Sequence, residues 1–215
     1  MAKGGGFERE MCKKLSLWWT SGKSDDIFWR TSGSGARATT RAKSNKATFG
    51  QSGDVGATHP DGLPLINLFV IELKRGYPKA SIIECFDQDN AALQEYEIWI
   101  NRMYEEVGRD EKLGWILIHR RDRRNAQMWM DGNAFEYIRA RAGQLPNKQC
   151  VEASIRIRSM KKSDDGKRLV PCAPYWLVNV IGMMLDDFLE YMGPGLVKGL
   201  EQSIDLKEIH NEVED

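Results

Sequence analysis

The chain has 215 residues, 41% hydrophobic and 29% charged, a globular composition that excludes disorder throughout. It holds no apolar run of about 18 residues, which excludes a bilayer-spanning helix, and Met1 to Gly6 offers no apolar core for a leader. Cys12, Cys85, Cys150 and Cys172 lie far apart with no C-x-x-C pair, so neither a closed zinc site nor a disulfide framework is expected, and the chain reads as reduced and cytoplasmic. Its 31 basic and 31 acidic residues cancel. Locally they do not: residues 1–50 hold ten Lys/Arg against four Asp/Glu, 139–170 hold nine against three, and 183–215 hold two against nine. Two basic blocks and an acidic end fit either a polyanion partner or plain solvated faces.

Phe7, Met11, Leu15 and Trp18 recur at helical spacing, which predicts an amphipathic helix over 7–19. Ile27 to Thr31 reads as a short strand. After Ser32-Gly33-Ser34-Gly35, the stretch to Gly53 has few apolar residues and no acid, but carries Arg37, Arg41, Lys43 and Lys46. It reads as a long, mobile basic loop that would order on a polyanion. Asp54 to Ala57 opens a second strand, and His59-Pro60-Asp61-Gly62 is a turn signal. Leu68 to Lys74 is apolar on both faces, which predicts a central strand. A long helix is expected over 82–107, from Phe86, Leu93, Tyr96, Ile100, Met103 and Val107. Strands at 113–119 and 126–130 and a helix at 133–142 follow. Val151 to Arg158 and Arg168 to Val180 read as two strands around a turn at 163–166, and 181–192 as a helix halted near Pro194. The order implies an α/β or α+β sheet with helices on its faces. Residues 1–142 are taken as a core and 143–215 as an extension packed on it, ending in an acidic tail.

The chemistry concentrates at Ile71-Glu72-Leu73-Lys74. Side chains alternate along a strand, so Glu72 and Lys74 share one face. An acid and a base inside an apolar strand are costly without partners. If 54–58 and 66–74 form a hairpin around a turn near 59–64, Asp54 falls opposite residues 70–72, close to Glu72. Two adjacent carboxylates repel unless a divalent cation lies between them. Mg²⁺ takes one or two carboxylates plus waters and substrate phosphate. Asp54, Glu72 and Lys74 together therefore point to metal-assisted phosphodiester hydrolysis, with Lys74 orienting the attacking water or helping to deprotonate it. Asp61 is the rival aspartate; it sits in a turn dipeptide, many residues along an extended chain from Glu72.

Asp54 followed by Glu72-Leu73-Lys74 resembles the signature of the PD-(D/E)xK nuclease superfamily. The surroundings resemble its archaeal-type Holliday-junction resolvases: Glu8-Arg9 on the first helix, Arg30-Thr31-Ser32-Gly33-Ser34 after the first strand, Asp54-Val55-Gly56-Ala57, then Ile71 to Lys74. The likeness covers roughly residues 5–120. Residues 36–53 form an insertion there, and the last part of the chain has no counterpart. The resemblance implies a restriction-endonuclease-like mixed sheet flanked by helices, to which the residue pattern of the last part of the chain adds a β-hairpin and helix extension. It also implies Mg²⁺ or Mn²⁺ held by Asp54, Glu72, the Leu73 carbonyl and Glu8, with Ser34 on a phosphate or water.

Two bland readings stay open here: Glu8 as a first-turn acid complementing the helix dipole, and Ser34 as ordinary turn chemistry. Gln94 is another polar residue for the site or simply exposed. The partner expected is DNA, branched or duplex, bound through Arg37, Arg41, Lys43, Lys46 and the basic block 139–170. A homodimer suits the two equivalent strands of a four-way junction. The alternatives are another PD-(D/E)xK endonuclease of restriction or recombination type, a non-catalytic DNA-binding protein on the same fold, and an interaction protein docking through its acidic tail.

Overall fold

The computed structural model describes residues 4–31, 52–86, 92–143, 145, 148–163 and 166–211. Its elements are α1 (Gly4–Trp19), β1 (Phe28–Arg30), β2 (Val55–Ala57), α2 (Leu63–Leu68), β3 (Phe69–Arg75), α3 (Glu95–Arg109), β4 (Gly114–Arg120), β5 (Gln127–Asp131), α4 (Gly132–Ala142), β6 (Cys150–Lys162), β7 (Leu169–Met184), α5 (Leu185–Tyr191), α6 (Pro194–Ser203) and α7 (Leu206–Asn211). One-turn 3₁₀ helices lie at Pro60–Gly62 and Ile82–Cys85. The sheet runs β3-β4-β5-β7-β6, with β3 and β4 parallel and the other pairs antiparallel. It is the mixed, helix-flanked sheet of a restriction-endonuclease-like fold. Among the described residues no helix is long and apolar enough to cross a membrane.

Alternation along the strands divides the core. Ile71 and Leu73 join Ile116, Ile118, Met128 and Met130 on the face covered by α1, through its Phe7, Met11 and Leu15. Val70, Trp115, Leu117 and Trp129 meet Tyr96, Trp99, Ile100 and Met103 of α3 on the other. Ser16, fully buried, fixes the entry to β1: its hydroxyl donates to Cys12 O (2.8 Å) and accepts from the amides of Ile27 (3.1 Å) and Phe28 (2.9 Å).

Four local expectations are corrected. β3 is an edge strand of the five, not a central one. Its double-sided apolar pattern reports two covered faces, not two paired neighbours. No 54–74 hairpin forms. β2 pairs with β1 (Trp29 opposite Gly56), and residues 63–68 form α2, with Pro64 in the first turn, where a missing N–H costs nothing. Among the described residues, the helix expected over 82–107 is confined to α3, and a 3₁₀ turn in which Ser81 and Glu84 form a capping box lies before it. Lastly, β7 continues to Met184 before α5 begins, and Pro194 opens α6 as well as ending what precedes it.

The C-terminal hairpin β6–β7 is hydrogen-bonded to β5 through residues 180–184, so it supplies two of the five strands. It carries Ile155, Ile157, Val178 and Val180 onto the same core face as α3.

Candidate active site

Glu72 and Lys74 project from β3 on the α3 side and form an ion pair, each about one-fifth exposed (21% and 18%). The Lys74 Nζ lies 5.9 Å from the centre of the Trp99 ring. Trp99 packs edge-on against His119, whose Nδ1 shares a hydrogen bond with the Tyr96 hydroxyl at 2.9 Å. Burial holds the His119 imidazole below its ordinary pKa, although its contact with Gly76 O opposes that. This aromatic wall restricts where the ammonium can sit, and it stabilises the charge through the ring face.

Asp54 arrives from the chain entering β2 and attaches to the free edge of β3. Its amide donates to Ile71 O at 2.8 Å, and its Oδ2 accepts from the Leu73 amide at 2.9 Å. Amide and carbonyl of one strand residue face the same edge, so the Leu73 carbonyl opens on the side where Asp54 lies. Thr31 N donates to Asp54 O at 3.0 Å, and the Thr31 hydroxyl donates to Gly53 O. From the other side, α3 takes hold of the same segment. Glu106 accepts from the Gly53 amide at 2.6 Å, and Asp110 accepts from the Ser52 hydroxyl. Arg109 hydrogen-bonds Asp110 and holds its carboxyl down at about 2, so that acceptor stays ionised.

Gly53 makes this approach possible. Its φ is +65°, and a Cβ there would lie 2.5 Å from Ile71 O. Gly53→Ala is therefore expected to cost at least about 2 kcal/mol, from left-handed strain plus the backbone clash. It should also pull Asp54 off the β3 edge. Urea unfolding beside Mn²⁺ titration will check this; a variant matching the parent in both would show that the close approach is dispensable.

Burial first, then the Glu72 charge, push the Asp54 carboxyl up to about 7, with Glu8 adding to the rise; the Leu73 amide and Lys74 oppose it. The site thus holds two carboxylates at odds with each other, one ammonium, and a carbonyl on the same edge. Among the described residues no three Asp, Glu, His or Cys side chains gather as a cation cage. Glu8 lies near enough to act on Asp54, but it is ion-paired to Arg30 at 2.9 Å, both side chains mostly buried. Gly5 leaves room for that arginine, since a Cβ there would meet Arg30 Nη1 at 2.5 Å. Glu10 faces elsewhere and binds Arg120 through two bonds of 2.5 and 2.7 Å. Asp61 sits exposed on the Pro60–Gly62 turn beside His59, outside this cluster. Gln94 begins α3, its amide donating to Glu97 at 2.8 Å. Ser34, Arg37, Arg41, Lys43 and Lys46 lie outside the described residues.

A family model described as "Phage putative PDDEXK endonuclease" matches residues 1–172. The chain belongs to this family. The match takes in Glu8, Asp54, Glu72 and Lys74 and runs into β7. Membership of the phage PDDEXK endonuclease family supports the PD-(D/E)xK superfamily; it does not carry the narrower likeness to archaeal-type Holliday-junction resolvases. No curated protein and no solved structure matches. Glu106 and Asp110 escape sequence reasoning in this PDDEXK chain. Each is polar and unremarkable in its own segment, and only the fold brings it to Gly53.

Proposed function

We propose that this protein is a DNA endonuclease that depends on Mg²⁺ or Mn²⁺. One observation carries the reading: the Asp54 carboxylate is tied to the Leu73 amide beside Glu72 and Lys74, so that two repelling acids and one base converge on a single strand edge. The donor set fits the ion, because hard oxygens from one or two carboxylates and a carbonyl leave positions for water and phosphate. Asp54, Glu72 and the Leu73 carbonyl would hold it, with Glu8 standing behind on Arg30. A bound divalent cation supplies charge neutralisation at the phosphate and activation of water. Lys74 orients the attacking water through its ammonium protons. Water oxygen bonds to phosphorus as it gives up one proton to solvent, the bond from phosphorus to one sugar oxygen breaks, and the released oxygen takes a proton from solvent.

DNA contacts from Arg37, Arg41, Lys43 and Lys46 and from the 139–170 block belong to the same proposal, as does a homodimer. Junction resolution, a restriction- or recombination-type role and non-catalytic binding are separated by one assay. The purified chain, with Mg²⁺, Mn²⁺ or chelator, is set against linear duplex, single-stranded, flapped and four-way DNA. Metal-dependent nicking is expected; no cleavage of any substrate would leave only a binding protein. Lys74→Ala should slow single-turnover cleavage by about 10²-fold or more while metal still binds. Lys74→Arg should not restore the rate, because guanidinium is planar, bulkier and never gives up its proton. A Lys74→Ala enzyme with the parent's rate would remove the lysine from the mechanism.

A further inference from the structure

The end of the sheet that carries Glu72 and Lys74 has a second kind of chemistry beside it. Parallel pairing sets Lys74 opposite His119 and Arg75 opposite Arg120, so the chain leaves β4 at this same end. The turn into β5 then reads Arg121-Asp122-Arg123-Arg124-Asn125. Arg120 is held on the α1 side, bonded to Glu10 and lying 4.7 Å over the Phe7 ring. Alternation returns Arg121 to the α3 side, and its charge acts there on both Tyr96 and His119. Those residues abut Trp99, the ring beneath Lys74. Arg121 is thus on the face of Glu72 and Lys74, two residues beyond Lys74 in register and one strand across. At strand rise and spacing that is roughly 7 Å along and 5 Å over.

Arg123 and Arg124 follow on the exposed crest of the turn, Arg123 with φ +60° and Arg124 N donating to Arg121 O at 3.1 Å. Among the described residues no carboxylate pairs with Arg121, Arg123 or Arg124. Three guanidiniums in four residues, beside a single acid, repel one another. Their physical complement is a polyanion.

We propose that Arg121, Arg123 and Arg124 grip the phosphate backbone of duplex DNA next to the bond cut at Glu72 and Lys74. The inference rests on the nuclease reading above and names the group that positions its substrate. Guanidinium matches phosphate through paired hydrogen bonds. Duplex is favoured over single strands because residues 120–125 include no aromatic side chain on which an unpaired base would stack.

The test is fluorescence anisotropy of a labelled duplex with chelator present, so that binding is read without cleavage. Replacing all three arginines by alanine should weaken affinity at least about tenfold near 0.1 M salt and lower the log–log salt slope by about 2 to 3. An unchanged melting temperature will show that the fold survives. The triple lysine variant keeps the charge and should recover the slope. Parent-like affinity and slope in the alanine variant would overturn the proposal, as would failure of the parent chain to bind duplex. A larger loss on single strands of equal length would overturn the duplex assignment. A parent that binds duplex through these arginines but cleaves nothing with any metal would sink the nuclease reading, and with it the place of the grip beside a cut bond, while leaving the arginines as the duplex-binding group. Cleavage by the parent with normal binding by the alanine variant would do the reverse.

Discussion

Asp54→Asn will abolish DNA cleavage and, in the absence of metal, will make the protein harder to unfold at pH 8. Both effects come from one carboxylate. With a cation bound as proposed, Asp54 would supply half of the charged oxygen set, and its loss would remove several kcal/mol of transition-state stabilisation, about 10³-fold or more in rate. Without a cation, the same carboxylate is a liability. Its folded-state pKa stands at about 7 against 3.8 for the free group, through burial and the neighbouring Glu72. Between those two pH values the folded chain holds a proton that the unfolded chain has lost. Stability of the metal-free protein therefore falls as pH rises from about 4, and the full penalty is present above about 7. Asparagine keeps the acceptor for the Leu73 amide and carries no charge. Melting in chelator should show the variant above the parent at pH 8, by on the order of a few kcal/mol, and level with it near pH 4. Adding Mn²⁺ should raise the parent's melting temperature and leave the variant's unchanged. A variant that still cleaves DNA would move the active site elsewhere; one that melts with the parent at pH 8 would mean that neither burial nor Glu72 penalises the Asp54 charge.

The shared face of Glu72 and Lys74 was readable because strand period is a local property. So was α1, whose stripe of Phe7, Met11 and Leu15 meets the sheet as expected. Asp54 is the instructive case. Its nearness to Glu72 is expected from a hairpin that does not form; β2 pairs with β1, and Asp54 reaches β3 through the left-handed turn at Gly53. Pairing partners are long-range, and an extended segment carries no mark of which strand it will join. Short elements were lost for another reason. Leu63–Leu68 is too short for a helical period to emerge, and Phe86 and Leu93 happened to prolong the α3 stripe across a break. Glu106 and Asp110 read as solvated acids at the end of a helix, because nothing local reveals that Ser52 and Gly53 will stand in front of them.

The largest loss of stability is expected from Glu97→Ala. Glu97 is wholly buried at the start of α3, and its carboxylate accepts from Arg158 Nε (2.9 Å), Arg158 Nη2 (2.6 Å), the Arg158 amide (3.2 Å) and the Gln94 amide (2.8 Å). Arg158, 8% exposed, lies on β6 where its register with β7 shifts, and its Nη2 also donates to Ala92 O at 2.6 Å. Asn101 completes the joint by donating to Glu97 O (2.8 Å) and Arg158 O (2.9 Å). Removing the carboxylate leaves a buried guanidinium without its counter-charge and the Gln94 amide without its acceptor, at a cost of about 3–5 kcal/mol. For a chain of this size that is a fall in melting temperature of about 6–20 °C. Replacing both charges by methionine should recover much of the loss, because an apolar pair of similar volume carries no desolvation cost. A double-mutant cycle in urea separates the pair energy from the packing of either residue. The consequence reaches the site, since α3 carries both Glu106 on Gly53 and Trp99 under Lys74. Glu97→Ala should therefore weaken Mn²⁺ binding at temperatures where the chain is still folded, as Asp54 loses its fixed approach. A variant within 1 kcal/mol of the parent, by the scale of exposed ion pairs, would show that the buried pair contributes no more than a surface one, and that α3 is held to the hairpin by its apolar face alone.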